Sequence, residues 1–140
     1  MTESFTQFLH AREVASLDYV RGQPDAFLAL AAAHGKASFF PPGGGHVRGA
    51  VAVKERQAKD AEAFDEGTQS SRFEIFHSAA DHEVGYWTGL QHARVQIKGK
   101  DELLSMTLRV TEVFRREDGE WKIVHRHADM LAEPQEKAEH

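Results

Sequence analysis

From Leu104 to Arg115 apolar and polar side chains alternate. Leu104, Met106, Leu108, Val110, Glu112 and Phe114 fall on one side and Ser105, Thr107, Arg109, Thr111, Val113 and Arg115 on the other. A period of two sustained over a dozen residues predicts a strand. The turn Arg116-Glu117-Asp118-Gly119 follows, and Gly119 stands where a three-residue hairpin loop requires a left-handed residue and a bulge. In that register Arg116 lies opposite Glu120. The pairs then run Arg115 with Trp121, Val113 with Ile123, Glu112 with Val124, Thr111 with His125, Val110 with Arg126 and Arg109 with His127. One face of the predicted hairpin is an apolar wall interrupted by Glu112 and Arg126. The other carries Arg109, Trp121, Ile123, His125, His127 and Asp129. Neither is a plain solvated face, so one should be covered by the chain's own helices and the other by a second subunit.

Upstream the period changes. Ser4 and Gln7 have capping-box spacing, and Phe5, Phe8, Leu9, Ala15 and Tyr19 recur at helical intervals until Gly22. Pro24 and Asp25 restart a helix through Phe27, Leu28, Leu30 and Ala31, with Gly35 as the expected stop. Ala37 to Phe40 predicts a short strand, and Pro41 to Gly45 a loop that reads as a hinge or lid. A third, amphipathic helix is expected from Gly49 to about Phe64. Strands follow near Ser71 to His77 and Val84 to Ile97, where Gly85 and Gly89 mark either a cavity-opening bend or an ordinary bulge. Helices first and long antiparallel strands afterwards predict an α+β domain, with three N-terminal helices packed on the concave face of a bent sheet. One domain over residues 1–140 suffices for this length, with a polar tail from about residue 131.

Composition narrows the function. With no cysteine, thiolate metal sites, disulfides and cysteine nucleophiles are excluded, and a reducing cytoplasm is the expected compartment. Lys and Arg total 17 against 22 Asp and Glu, the wrong balance for a protein held to nucleic acid by phosphate contacts. The longest apolar run, Ala26 to Ala33, is too short to span a membrane, and no leader pattern opens the chain.

The closing hairpin RVTEVFRREDGEWKIVHRHAD resembles that of SnoaL-like proteins. These belong to the superfamily that includes nuclear transport factor 2, ketosteroid isomerase and the association domain of calmodulin-dependent kinase. Asp118-Gly119, Trp121, Ile123, Val124, His125 and His127 carry the resemblance, with support from Tyr19-Val20-Arg21-Gly22 and Pro41-Pro42-Gly43-Gly44-Gly45. It implies a cone-shaped, mixed but mainly antiparallel sheet around an internal pocket. It leaves the reaction open, because that fold hosts isomerases, cyclases, dehydratases and non-enzymes. By position it matches Tyr19 to an oxyanion-donating tyrosine and places Tyr86, Thr88 and Leu90 inward. The aspartate base of the steroid isomerases has no counterpart in Ala37-Ser38-Phe39-Phe40, so classical steroid isomerisation is not expected. Two pocket arginines of the kinase domain are replaced by Glu112 and Ala128, which argues against a dianionic ligand.

Glu112 and Arg126 are the candidate catalytic residues. A charge on an apolar face needs a partner or a solvated cavity. Either Glu112 is a general base and Arg126 an anchor for a carboxylate or enolate, or the two form an ion pair closing the end of the core. Tyr19, Phe40, Tyr86, Thr88, Leu108, Val110 and Phe114 are the candidate ligand-binding residues, around a pocket whose mouth is the glycine loop. Arg109, Trp121, Ile123, His125 and His127 are the candidate homodimer interface. His125 and His127 have metal-pair spacing, but no third ligand is placed beside them, and no metal is expected. Gly43-Gly44-Gly45 matches neither a P-loop nor a dinucleotide fingerprint. The sequence therefore supports two functions: cofactor-free proton transfer on an apolar carbonyl compound, or a non-catalytic dimeric domain binding a small apolar or acidic ligand.

Overall fold

The computed structural model describes residues 4–67 and 69–132, so most of the expected polar tail lies outside the described residues. The chain runs α1 (Phe5–Val20), α2 (Asp25–Leu30), β1 (Ser38–Phe40), β2 (Val47–Arg48), α3 (Ala50–Ala61), β3 (Ser70–Ala80), β4 (Val84–Gln96), β5 (Leu103–Glu117) and β6 (Glu120–Met130). Its strands form one mixed six-stranded sheet in the order β2-β1-β6-β5-β4-β3, in which only β1 and β6 run parallel. This is the expected α+β cone.

Local signals explain most boundaries. Ser4 and Gln7 close the expected capping box at the start of α1, each side chain receiving the other's backbone N–H. α2 ends at Leu30, short of the expected Gly35 stop. Ala31 is already extended and bridges to Ile123, and Ala32 N–H donates to the Ile123 carbonyl at 3.0 Å, so the sheet captures the chain before the helix can continue. β2, only two residues long, has no periodicity to read and is not expected from the sequence.

The closing hairpin departs from the expected register. Asp118 and Gly119 both have positive φ, 53° and 82°, which makes a two-residue primed turn with Glu117 opposite Glu120. The bulge lies instead between Val113 and Phe114, whose partners are His125 and Ile123. Val124 is the extra residue, and it reverses facing along β6. Before the bulge Trp121 and Ile123 point inward. After it Arg126 and Ala128 do, now directly opposite Glu112 and Val110.

A second bulge, between Ile75 and His77 in β3, sits against Gly89 of β4. A Cβ on Gly89 would lie 2.0 Å from the Glu74 carbonyl oxygen, so this close backbone approach admits no side chain. The core lies between helices and inner face. Phe5 and Phe8 pack edge-on or tilted against Phe114 and Trp121 with centroids 4.8–6.5 Å apart, and Trp87 stacks on Phe73 at 4.4 Å.

Candidate functional site

The inner face of α1 presents Phe8, Arg12, Ala15, Ser16 and Val20 to the sheet, a helical stripe with a guanidinium in its middle. Arg12 is 2% exposed and Glu112, opposite it on β5, is fully buried. Arg12 Nε lies 3.0 and 3.2 Å from the two Glu112 carboxylate oxygens, and Nη2 donates to Oε2 at 2.8 Å. Trp87 Nε1 donates to Oε1 at 2.7 Å and Arg126 Nη1 to Oε2 at 2.8 Å, so both carboxylate oxygens are saturated. The Arg12 guanidinium also packs over Phe27 and Phe73, 4.5 and 5.2 Å from the ring centroids.

The network continues outward from Arg126. Its Nη2 donates to Gln91 Oε1 at 2.7 Å, Gln91 Nε2 donates to Ser71 Oγ at 2.9 Å, and Ser71 shares a 2.8 Å hydrogen bond with Ser16 on α1. Five elements, α1, β3, β4, β5 and β6, are thereby cross-linked in one network centred on Glu112. Burial would push the Glu112 carboxyl up, but the guanidiniums of Arg12 and Arg126 and the hydrogen bonds from Arg12 and Trp87 outweigh it and hold it at about 2. Burial also draws Arg12 below its usual range, against the attraction of Glu112. Both groups are thus shifted downward, which favours the charged form of Glu112 and disfavours that of Arg12. The carboxylate governs the pair near neutrality, because it is fully hydrogen-bonded and a guanidinium does not release its proton there.

Beside this network lies a cavity of about 170 Å³. Arg12, Ser16, Gln91 and Arg126 form its polar wall. Val20, Phe27, Phe39, Phe64, Ala93, Met106 and Leu108 form its apolar wall, with Tyr19, Gln57 and Asp60 on the α3 side and Pro42 from the glycine loop. Tyr19 donates its hydroxyl proton to the Gln57 backbone carbonyl at 2.8 Å, and burial followed by the charge of Asp60 pushes the phenol well above its usual range. Arg12 Nη1 and Gln57 Oε1 are buried and lack a hydrogen-bond partner among the described residues.

Of the candidates read from sequence, Glu112, Arg126, Tyr19 and Leu108 come together at this site. Val110 and Phe114 are buried in the adjoining core, and Phe114 packs against Phe5 and Phe8. Three placements are corrected. Phe40 is 40% exposed and packs on the outer-face rings of His125 and His127, and its neighbour Phe39 lines the cavity. Tyr86 and Thr88 also face outward, bonded to His77 and Thr111, and Leu90 follows them, because on β4 the buried positions are Gly85, Trp87, Gly89, Gln91, Ala93 and Val95. Trp121 and Ile123, 2% and 5% exposed, pack beneath the protein's own helices and present nothing to a second subunit; the Val124 bulge is the reason.

Arg109, His125 and His127 do lie on the outer side. Arg109 chelates Asp129 at 2.7 and 2.9 Å, and His127 approaches the same carboxylate at 3.3 Å. Burial and the neighbouring His127 lower the His125 pKa, against the contact with Ser38. Among the described residues no group of three or more His, Asp or Glu is arranged to hold a metal, and no helix is long and apolar enough to cross a membrane.

Arg12 is the functional residue that the sequence reading misses. Its signal is present: positions 8, 12, 15, 16 and 20 are one face of a helix, and only Arg12 among them is charged.

The family model of the SnoaL-like domain matches residues 15–133. The chain belongs to the SnoaL-like family. Solved structures agree in fold. A nuclear transport factor 2-like superfamily protein from Salmonella enterica superimposes with a TM-score of 0.75 at 15% identity, covering 93% of this SnoaL-like chain and 92% of its own. A provisionally assigned dehydratase of the same superfamily, from Streptomyces avermitilis, gives 0.68 at 19% identity, covering 89% and 91%. The calmodulin-dependent kinase II hub homology domain from Chlamydomonas reinhardtii gives 0.64 at 14%, covering 91% and 98%. No curated protein sequence matches the SnoaL-like chain.

Proposed function

We propose that the chain is a binding protein for a small, apolar-bodied carboxylate or carbonyl compound. Arg126 and Arg12 would hold the ligand's oxygen, and Glu112 serves as the anchor of those guanidiniums rather than as the base of a reaction. The observation that carries this reading is the pair of guanidiniums tied to one saturated carboxylate at the wall of an otherwise largely apolar cavity, with Arg12 Nη1 still unpartnered. A general base works best with a pKa near the operating pH, whereas Glu112 is held at about 2 and is not on the cavity wall. Proton transfer would have to pass to Asp60, the carboxylate on that wall, which is paired with Arg56 at 2.9 Å.

The cavity's size limits the ligand. A cavity of roughly 150 Å³ accommodates benzene, so about 170 Å³ suits one ring with small substituents. Benzoate is the minimal probe. Calorimetric titration should show one benzoate per chain and an affinity reduced by roughly tenfold or more in Arg126→Met, the loss expected for one charge-assisted hydrogen bond. Equal affinity in the variant, or no binding to either protein, contradicts the proposal.

Self-association through the outer sheet face is also proposed, keeping Arg109 and His127 from the sequence reading but without Trp121 and Ile123. Phe40 and Phe76, 40% and 62% exposed, lie on or beside a shallow groove that includes Leu90, Arg109 and His127. Apolar area of this kind, rimmed by charge, suits a two-fold contact in which the same face meets itself. Light scattering at micromolar concentration should report twice the chain mass; a monomer contradicts it.

A further inference from the structure

The arginine wall offers donors to a ligand, and the α3 side of the same cavity offers acceptors. Gln57 is 3% exposed, lines the cavity, and no donor among the described residues reaches its Oε1. Tyr19 cannot supply one, because its proton goes to the Gln57 backbone carbonyl, which leaves the phenol oxygen as a further acceptor. Asp60, one helical turn beyond Gln57, adds a carboxylate to the same wall. A buried acceptor without a donor is an unfavourable arrangement that an occupant of the right chemistry corrects.

We infer that the cavity takes a single-ring aromatic acid that also carries a hydroxyl, its carboxylate at the arginine wall and its hydroxyl at Gln57. The inference rests on the binding function proposed above and names its ligand class. The ring follows from the volume and from the aromatic and aliphatic walls, Phe27, Phe39 and Leu108 among them. The hydroxyl follows from Gln57: it donates to Oε1 while remaining small enough for the space. A second negative charge is disfavoured at this end by Asp60. A positive charge there gains little, because Asp60 already has Arg56.

The test compares benzoate with 2-, 3- and 4-hydroxybenzoate by calorimetry on the intact chain. At least one of the 3- and 4-hydroxy isomers should bind roughly tenfold or more tightly than benzoate, the gain expected for satisfying a buried acceptor. The 2-hydroxy isomer should resemble benzoate, since its hydroxyl is bonded to its own carboxylate. In Gln57→Leu the advantage should vanish, the hydroxybenzoates and benzoate then binding with about equal affinity. The comparison among probes on the unmodified protein stands even if that variant does not fold. Benzoate binding with no gain from any hydroxyl overturns this inference alone, as does a gain that survives Gln57→Leu. Failure of every probe, benzoate included, overturns it together with the proposed function.

Discussion

Replacing Glu112 by Gln should destabilise the fold by about 3–5 kcal/mol, the loss expected when a buried ion pair is broken from one side. The side chain keeps its shape, so packing is not the cause. The Arg12 guanidinium, 2% exposed and packed over Phe27 and Phe73, loses its counter-charge at a site shielded from bulk solvent. Arg126, 12% exposed, is less affected. Denaturant unfolding measures the loss. A double replacement, Arg12→Leu with Glu112→Leu, should cost less than Glu112→Gln alone, because removing both charges also removes their dehydration penalty. A loss below about 1 kcal/mol in Glu112→Gln would mean that the cavity solvates these groups.

Acid should remove the same stabilisation without any mutation. Glu112 has a pKa of about 2 in the folded chain against 4.5 as its ordinary value. The native state therefore releases this proton more readily than the unfolded chain does. The contribution is fully present above about pH 4.5 and is lost as pH falls through about 2. A tenfold difference in proton affinity is worth about 1.4 kcal/mol, so the gap between folded and unfolded chains supplies on the order of 3 kcal/mol. Arg12, drawn down by burial, contributes with its own sign only at alkaline pH and leaves the acid limb to Glu112. In Glu112→Gln the unfolding free energy should fall less steeply below pH 4.5 than in the unmodified chain.

The hairpin, the helix starts and the inward carboxylate can be read from the sequence because each is a local pattern: alternation across Leu104–Phe114, and the capping pair Ser4 and Gln7. The facing of Trp121 and Ile123 cannot. It depends on where one extra residue is absorbed. A three-residue loop at Gly119 and a bulge at Val124 satisfy the same alternation, and the positive φ of Asp118 decides between them. Phe39 and Phe40 are adjacent and chemically identical, so their sides of the sheet follow only from the parallel pairing of β1 with β6. Gly89 is legible as a bend or a bulge, and the structure sets it against the bulge of β3. The ion pair is half legible. Glu112 is marked by its apolar surroundings, but its main partner lies 100 residues away, on a helix whose periodicity shows most plainly in its aromatic members.

In the proposed function Glu112 is an anchor, ionised near neutrality, for two arginines at the cavity wall. Carbon-13 NMR of the Glu112 side-chain carboxyl, followed from neutral pH downward in the folded protein, tests it most directly. The carboxyl resonance should keep its ionised position to at least about pH 4, consistent with a pKa of about 2. A titration midpoint between about pH 5 and 7, in the range of a working general base, would contradict the anchor and restore proton transfer at Glu112 as the better account.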